Sequence, residues 1–154
     1  MTMTTETRLF GTITIEDEKL ITFPEGIVGF PFMTKFALIH DIENETSPIM
    51  WLQSMDEPEF AMPVMEPNKV IEDYRPTVND EYLTGMGELK TEDIYLLVTL
   101  TVPAEIEKMS VNLKAPIVIN MENNKAAQII VEDDFQVKYP IYELLKKRKE
   151  SAEC

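Results

Sequence analysis

The one histidine, His40, is the first side chain to weigh as a catalyst. An imidazole that titrates near neutrality can carry a proton, bind a metal or activate a nucleophile. His40 follows the apolar run Phe36-Ala37-Leu38-Ile39 and precedes Asp41, which is the pattern of a strand end and suits a structural or exposed histidine. The one cysteine, Cys154, is the last residue. With one of each, neither a Cys–His nucleophile nor a His-based metal site can be assembled within the chain. Glu132, Asp133 and Asp134 could gather calcium, but the spaced oxygens and glycine of a calcium loop are missing, and a solvated strand end fits better. Gly85-Met86-Gly87 lacks the preceding strand of a phosphate cradle and reads as a helix end. Paired carboxylates for glycoside chemistry stay open, because 28 acids bring accidental pairs. The expectation is no catalytic, metal or cofactor site, hence not an enzyme.

Charge points toward partners. The chain carries 14 Lys and Arg against 28 Asp and Glu, a net charge of -14. Four of the basic groups lie at 146–149 (KKRK) and two of the acids at 150 and 153, so residues 1–145 hold 10 basic and 26 acidic groups. Phosphate is repelled by such a chain, so direct nucleic-acid binding is not expected; a basic protein is attracted. Solubility alone is the plain alternative. The segment 50–74 concentrates the relevant side chains. Met50, Met55, Met62 and Met65 stand near Trp51 and Phe60, interleaved with Asp56, Glu57, Glu59 and Glu66 and followed by Glu72, Asp73 and Tyr74. Apolar side chains beside carboxylates suit a basic, amphipathic partner. The candidate partner-binding residues are Asp56, Glu57, Glu59, Met62, Met65, Glu66, Glu72, Asp73 and Tyr74. A core strand pair with acidic turns would produce the same pattern.

The elements that must position these residues are mostly strands. Strand patterns run over 7–15, 20–23, 36–42, 49–55, 60–65, 94–102, 109–121 and 126–133, with a polar turn at 16–19 and a loop at 43–48. Pro63 cannot donate to a ladder, which places it at an edge or bulge. The run 94–102 is apolar for too long to be one-sided and belongs in a central strand covered on both faces. Asn123 or Asn124 in ENNK (122–125) suits a left-handed hairpin turn. A short helix is expected over 79–89, and a firmer one over 140–154, started by Pro140 and basic toward its C-terminus. The expected fold is mainly β: one domain over 1–154, a small, largely antiparallel β-barrel-like sheet with one or two short helices, one at the C-terminus. In Phe23-Pro24-Glu25-Gly26, proline presets a turn that glycine closes, and Phe23 and Phe30 are expected to pack the barrel end. No apolar run is long enough to span a membrane, and the N-terminus lacks the form of a secretory signal. Together with one cysteine, this gives the expectation of a cytoplasmic location.

Three stretches in order resemble the FliW family of flagellar assembly factors: TRLFGTITIEDEKLITFPEGIVGF (7–30), MWLQSMDEPEFAMPV (50–64) and NLKAPIVINMENNKAAQIIV (112–131). The resemblance runs from about residue 7 to 140 and leaves the basic tail aside. It implies a small β-barrel-like, cytoplasmic regulator that binds two proteins in turn. One is CsrA, an RNA-binding protein that represses flagellin translation and is engaged away from its RNA face; the other is newly made flagellin. A small-ligand- or carbohydrate-binding barrel is the alternative from the residues alone.

Overall fold

A computed structural model of the chain describes residues 2–7, 10–27, 29–30, 32–40, 49–71, 73–74, 76, 93–144 and 146. The strands are β1 (Thr2–Thr7), β2 (Gly11–Glu16), β3 (Ile21–Thr22), β4 (Lys35–His40), β5 (Met50–Ser54), β6 (Ala61–Met65), β7 (Ile94–Thr101), β8 (Ser110–Val111), β9 (Ile117–Asn120), β10 (Lys125–Gln128) and β11 (Tyr139–Pro140). Seven of them close a ring in the order β7-β6-β5-β4-β3-β10-β9 and back to β7. Every pairing in the ring is antiparallel except β3 with β10. Closure removes the open edges that a sheet of this size would otherwise present. The pairs β7–β8 and β8–β11 continue the sheet beyond the ring, and β1–β2 is a separate hairpin.

β7 shows why its sequence is apolar throughout. Its first half pairs with β9, Val98 and Met65 join it to β6, and Leu100 and Thr101 pair with β8. Leu97 and Tyr95 pack with the lumen cluster of Phe23, Phe36, Leu52, Val64, Ile117 and Ile119. Leu96, Val98 and Leu100 instead join an outer cluster with Met65, Tyr74, Leu113 and Ile141. Both faces of one strand are therefore covered, the period-2 alternation serving two cores. A third set, Leu20, Ala37 and Met55, is capped by Ile13, Ile15 and Ile39, which lays the β1–β2 hairpin on the barrel's outer surface.

Several expected elements differ in extent. The strand expected over 7–15 is instead a corner and β2. Gly11 adopts φ +66°, and the Thr7 hydroxyl donates to its carbonyl at 2.8 Å, so the chain turns here and Thr2–Thr7 pairs back as β1. The run 109–121 is split into β8 and β9, because Asn112 Oδ1 accepts from the amides of Lys114 (3.0 Å) and Ala115 (3.1 Å) and bends the backbone between them. Pro63 lies in an internal strand rather than at a sheet edge or bulge. It sits opposite Trp51, while the ladder with β7 covers only Val64 and Met65. Ser54 donates to the Phe60 carbonyl, so by antiparallel alternation the Trp51–Pro63 pair is a non-hydrogen-bonded one. The proline nitrogen thus points to the side where pairing with β7 has already ended, and its missing N–H leaves no gap. Pro140 starts no helix; it closes β11 against Ser110, and helix begins at 142. Asn124 does take the left-handed conformation, φ 57°. The helix expected over 79–89 lies outside the described residues.

Candidate functional site

The turn 54–60 is held by its own short-range chemistry. Ser54 Oγ accepts from the amides of Asp56 (3.2 Å) and Glu57 (2.9 Å). Beneath the turn, fully buried Gln53 donates through Nε2 to the carbonyls of Ser54 (2.9 Å), Pro58 (3.0 Å) and Phe60 (3.1 Å). Asp56 Oδ2 reaches across to the start of β4, accepting from the amides of Thr34 (2.9 Å) and Lys35 (3.0 Å). The Met55 amide donates to the Lys35 carbonyl at 2.8 Å. Asp56 is therefore a brace between two loops. Glu57 and Glu59 are exposed, presented by a backbone that these bonds fix.

The same end of the barrel carries the loop 23–34. Gly26 donates to the Phe23 carbonyl at 2.9 Å and has φ +74°, closing the expected turn over Pro24 and Glu25. Phe23 is fully buried and meets Phe36 edge-on at 5.2 Å. Phe30 departs from the expectation that it packs inside. Ile27 and Phe30 exchange backbone hydrogen bonds around Gly29, whose φ is +87°, and this tight reversal turns the Phe30 ring outward. Phe30 is 38% exposed and Phe32 61%. Phe30 rests on Phe60 at 5.2 Å and Phe32 lies 6.2 Å from Phe30. Phe60 is itself packed against the lumen cluster. The three rings thus form a stepped patch from core to solvent, beside the acidic turn. Phe30 and Phe32 did not figure among the candidate residues; the sequence signal was Gly29-Phe30-Pro31-Phe32, two rings bracketing a proline in a loop.

The remaining candidates lie elsewhere. β6 carries the chain from the acidic turn to Glu66 at the other end of the barrel, roughly 17 Å for its length at about 3.3 Å per residue. Met65 and Tyr74 are core residues, with relative exposures of 0% and 2%, and neither can offer a partner its side chain. Tyr74 donates to the Leu113 carbonyl at 2.6 Å and packs on Phe135 at 4.8 Å. Burial, reinforced by the Asp133 carboxylate, raises its phenol well above the usual tyrosine range. Met62 is half-buried against the lumen cluster. Asp73 is exposed, and Glu72 lies outside the described residues. Glu66 accepts from Tyr95 Oη at 2.8 Å and stands 3.9 Å from Lys69 Nζ. Burial first, then this hydrogen bond and the carboxylate's charge, raise the Tyr95 phenol as well. Glu66 and Tyr95, with Asn68, Ile94 and Leu96, line an open concavity of about 340 Å³. The eight described candidates are thus divided between two ends of the barrel and its core. Among the described residues, no group of three or more His, Cys, Asp or Glu side chains is placed to hold a metal. No helix among them is long and apolar enough to cross a membrane.

This barrel has known counterparts. The family model of the FliW protein matches residues 4–141. The chain belongs to the FliW family. A flagellar assembly factor FliW of Lachnoclostridium phytofermentans is 44% identical over 156 residues, covering 99% of this chain and 100% of that protein. One of Lachnospira eligens is 43% identical over 150 residues, covering 96% and 99%. A crystal structure of the flagellar assembly factor FliW superposes with a TM-score of 0.80 at 28% identity, over 90% of this chain and 96% of that one. FliW proteins are flagellar assembly factors, so the chain is placed in flagellum biogenesis.

Proposed function

We propose that this FliW protein is a non-catalytic, cytoplasmic regulator that binds CsrA, relieves its repression of flagellin translation, and is occupied in turn by newly made flagellin. The family supplies the setting. The observation that supports a protein-binding role is the backbone-braced turn 54–60, which presents Glu57 and Glu59 beside exposed Phe30 and Phe32. A carbohydrate- or ligand-binding barrel needs a lumen with convergent polar groups. Here the lumen is filled by Phe23, Phe36, Leu52, Val64, Leu97 and Ile117, all fully buried.

An acidic protein could relieve CsrA in two ways. It could mimic a phosphate backbone and occupy the RNA face, or it could bind elsewhere and weaken RNA binding through a coupling free energy, typically about 1–3 kcal/mol. Among the described acids, Glu57 and Glu59 precede β6 and Glu66 follows it, at opposite ends of the barrel, which favours the second. The test is RNA dissociation from a preformed CsrA–RNA complex, chased with excess unlabelled RNA. The off-rate should rise with added FliW. A constant off-rate, with FliW binding abolished by saturating RNA, overturns the allosteric reading; no binding of CsrA at all overturns the function.

A further inference from the structure

We infer that the barrel end formed by Phe30, Phe32 and Phe60 with Glu57 and Glu59 is the docking surface for a basic, amphipathic segment of a protein partner, an apolar side chain flanked by Lys or Arg. The inference rests on the reading above to this extent: the basic regulator proposed there, CsrA, is the partner that supplies the segment.

Three physical features carry it. First, two large rings are exposed next to one another, at 38% and 61%, while Phe23 and Phe36 at the same end are fully buried and Phe60 is half-buried. Paired exposed rings leave apolar area in water that a partner can remove, and aromatic anchors are where binding energy concentrates. Second, the inner ring is held in place. Phe30 is set by the Ile27–Phe30 reversal and seated on Phe60, which continues into the lumen core. A surface fixed before binding loses little side-chain freedom on binding. Third, the rim is acidic and equally fixed. The amides of Asp56 and Glu57 are held by Ser54 Oγ, and Asp56 Oδ2 accepts from the amides of Thr34 and Lys35, so the turn presents three exposed carboxylates, Asp56, Glu57 and Glu59, on a fixed backbone. Glu25, exposed on the neighbouring Phe23–Gly26 turn, adds a carboxylate at the same barrel end. Rings on a loop beside acidic turns select cations twice: by Coulomb attraction from the carboxylates and by the negative faces of the rings for a guanidinium or ammonium. A neutral apolar partner gains nothing from the rim, and a nucleic acid is repelled by it.

A second feature, the Glu66–Tyr95 concavity at the other end of β6, serves as the control. Its carboxylate is already engaged by Tyr95 Oη and faces Lys69.

The experiment measures association and dissociation rates with purified CsrA, and separately with flagellin, for the full chain and three variants. The variants are Phe30→Ala/Phe32→Ala, Glu57→Lys/Glu59→Lys and Glu66→Lys, each checked for unchanged thermal unfolding. Anchor loss is expected to raise the CsrA off-rate by about tenfold or more. Rim reversal is expected to lower the on-rate several-fold at low salt and to flatten its salt dependence, because rim charges act on encounter. Glu66→Lys should match the unchanged chain. If the unchanged chain binds CsrA and both patch variants bind it equally well, the docking surface is overturned while the function stands. If only flagellin binding is lost, the patch serves flagellin and the assignment to a basic partner is overturned. If the unchanged chain does not bind CsrA, the proposed function falls and the inference with it.

Discussion

The two ends of β6 handle the same residue types in opposite ways. Before the strand, the turn 54–60 spends its internal hydrogen bonds on the backbone and leaves Glu57 and Glu59 exposed beside Phe30 and Phe32. After the strand, Glu66 is hydrogen-bonded to Tyr95, Met65 is buried, and Tyr74 is sealed between the Leu113 carbonyl and Phe135. One end presents charged and aromatic groups; the other consumes them. Acid and methionine density is alike along 50–74, so density does not reveal a surface. What separates the two is exposure: Glu57 and Glu59 stand in water, whereas Glu66 is half-buried and Met65 and Tyr74 are buried.

That contrast can be broken first where it is sharpest, among the phenylalanines of one loop. Phe23→Ala should cost about 3–5 kcal/mol, since it empties a fully buried site against Phe36. Phe32→Ala should stay within about 0.5 kcal/mol because the ring is 61% exposed. Urea unfolding of the two variants compares them directly; similar losses would mean that the Phe32 ring is not free. Within the acidic turn, Asp56→Ala should cost about 0.5–1.5 kcal/mol, because the amides of Thr34 and Lys35 exchange their acceptor for water, whereas Glu57→Ala should be nearly neutral. Equal effects on stability would erase the distinction between brace and presented charge.

At the other end of β6, Tyr74→Phe should cost about 1–2 kcal/mol through the unpaired Leu113 carbonyl. The same residue shapes the alkaline limit. The Tyr74 and Tyr95 phenols are raised in the folded state, so the folded protein keeps protons that the unfolded chain releases near pH 10. Their contribution is complete below about pH 10 and is lost as pH rises beyond it. Denaturant midpoints from pH 7 to 11 should be level with respect to these groups and then fall, less steeply in Tyr74→Phe. An identical alkaline decline in that variant would show that burial of this phenol does not set it. The smallest effect expected is on stability in salt: the ion pairs Lys19–Glu16 and Lys108–Glu105 are exposed, so 0.5 M salt should change unfolding little while slowing association with CsrA.

Local chemistry was legible before any fold was known. The Phe23-Pro24-Glu25-Gly26 turn, the left-handed asparagine of the 122–125 turn and the two-sided burial of β7 all follow from nearest-neighbour sterics and period-2 patterning. Strand limits were less so, because Asn112 and Thr7 end strands through side-chain bonds to the backbone that a hydropathy pattern does not register. The candidate surface was half legible. Glu57 and Glu59 stood out by charge, but nothing local distinguishes Asp56, whose amide donors lie 21 and 22 residues away. Composition and order alone determined an acidic, strand-rich chain that resembles the FliW family. Tertiary structure alone decided which of two loop phenylalanines is core, which acid braces a neighbouring loop, and that Glu66 stands far from Glu59. The reason is that burial and hydrogen-bond partnership are set by ring closure between distant strands, and no single stretch contains both halves of such a contact.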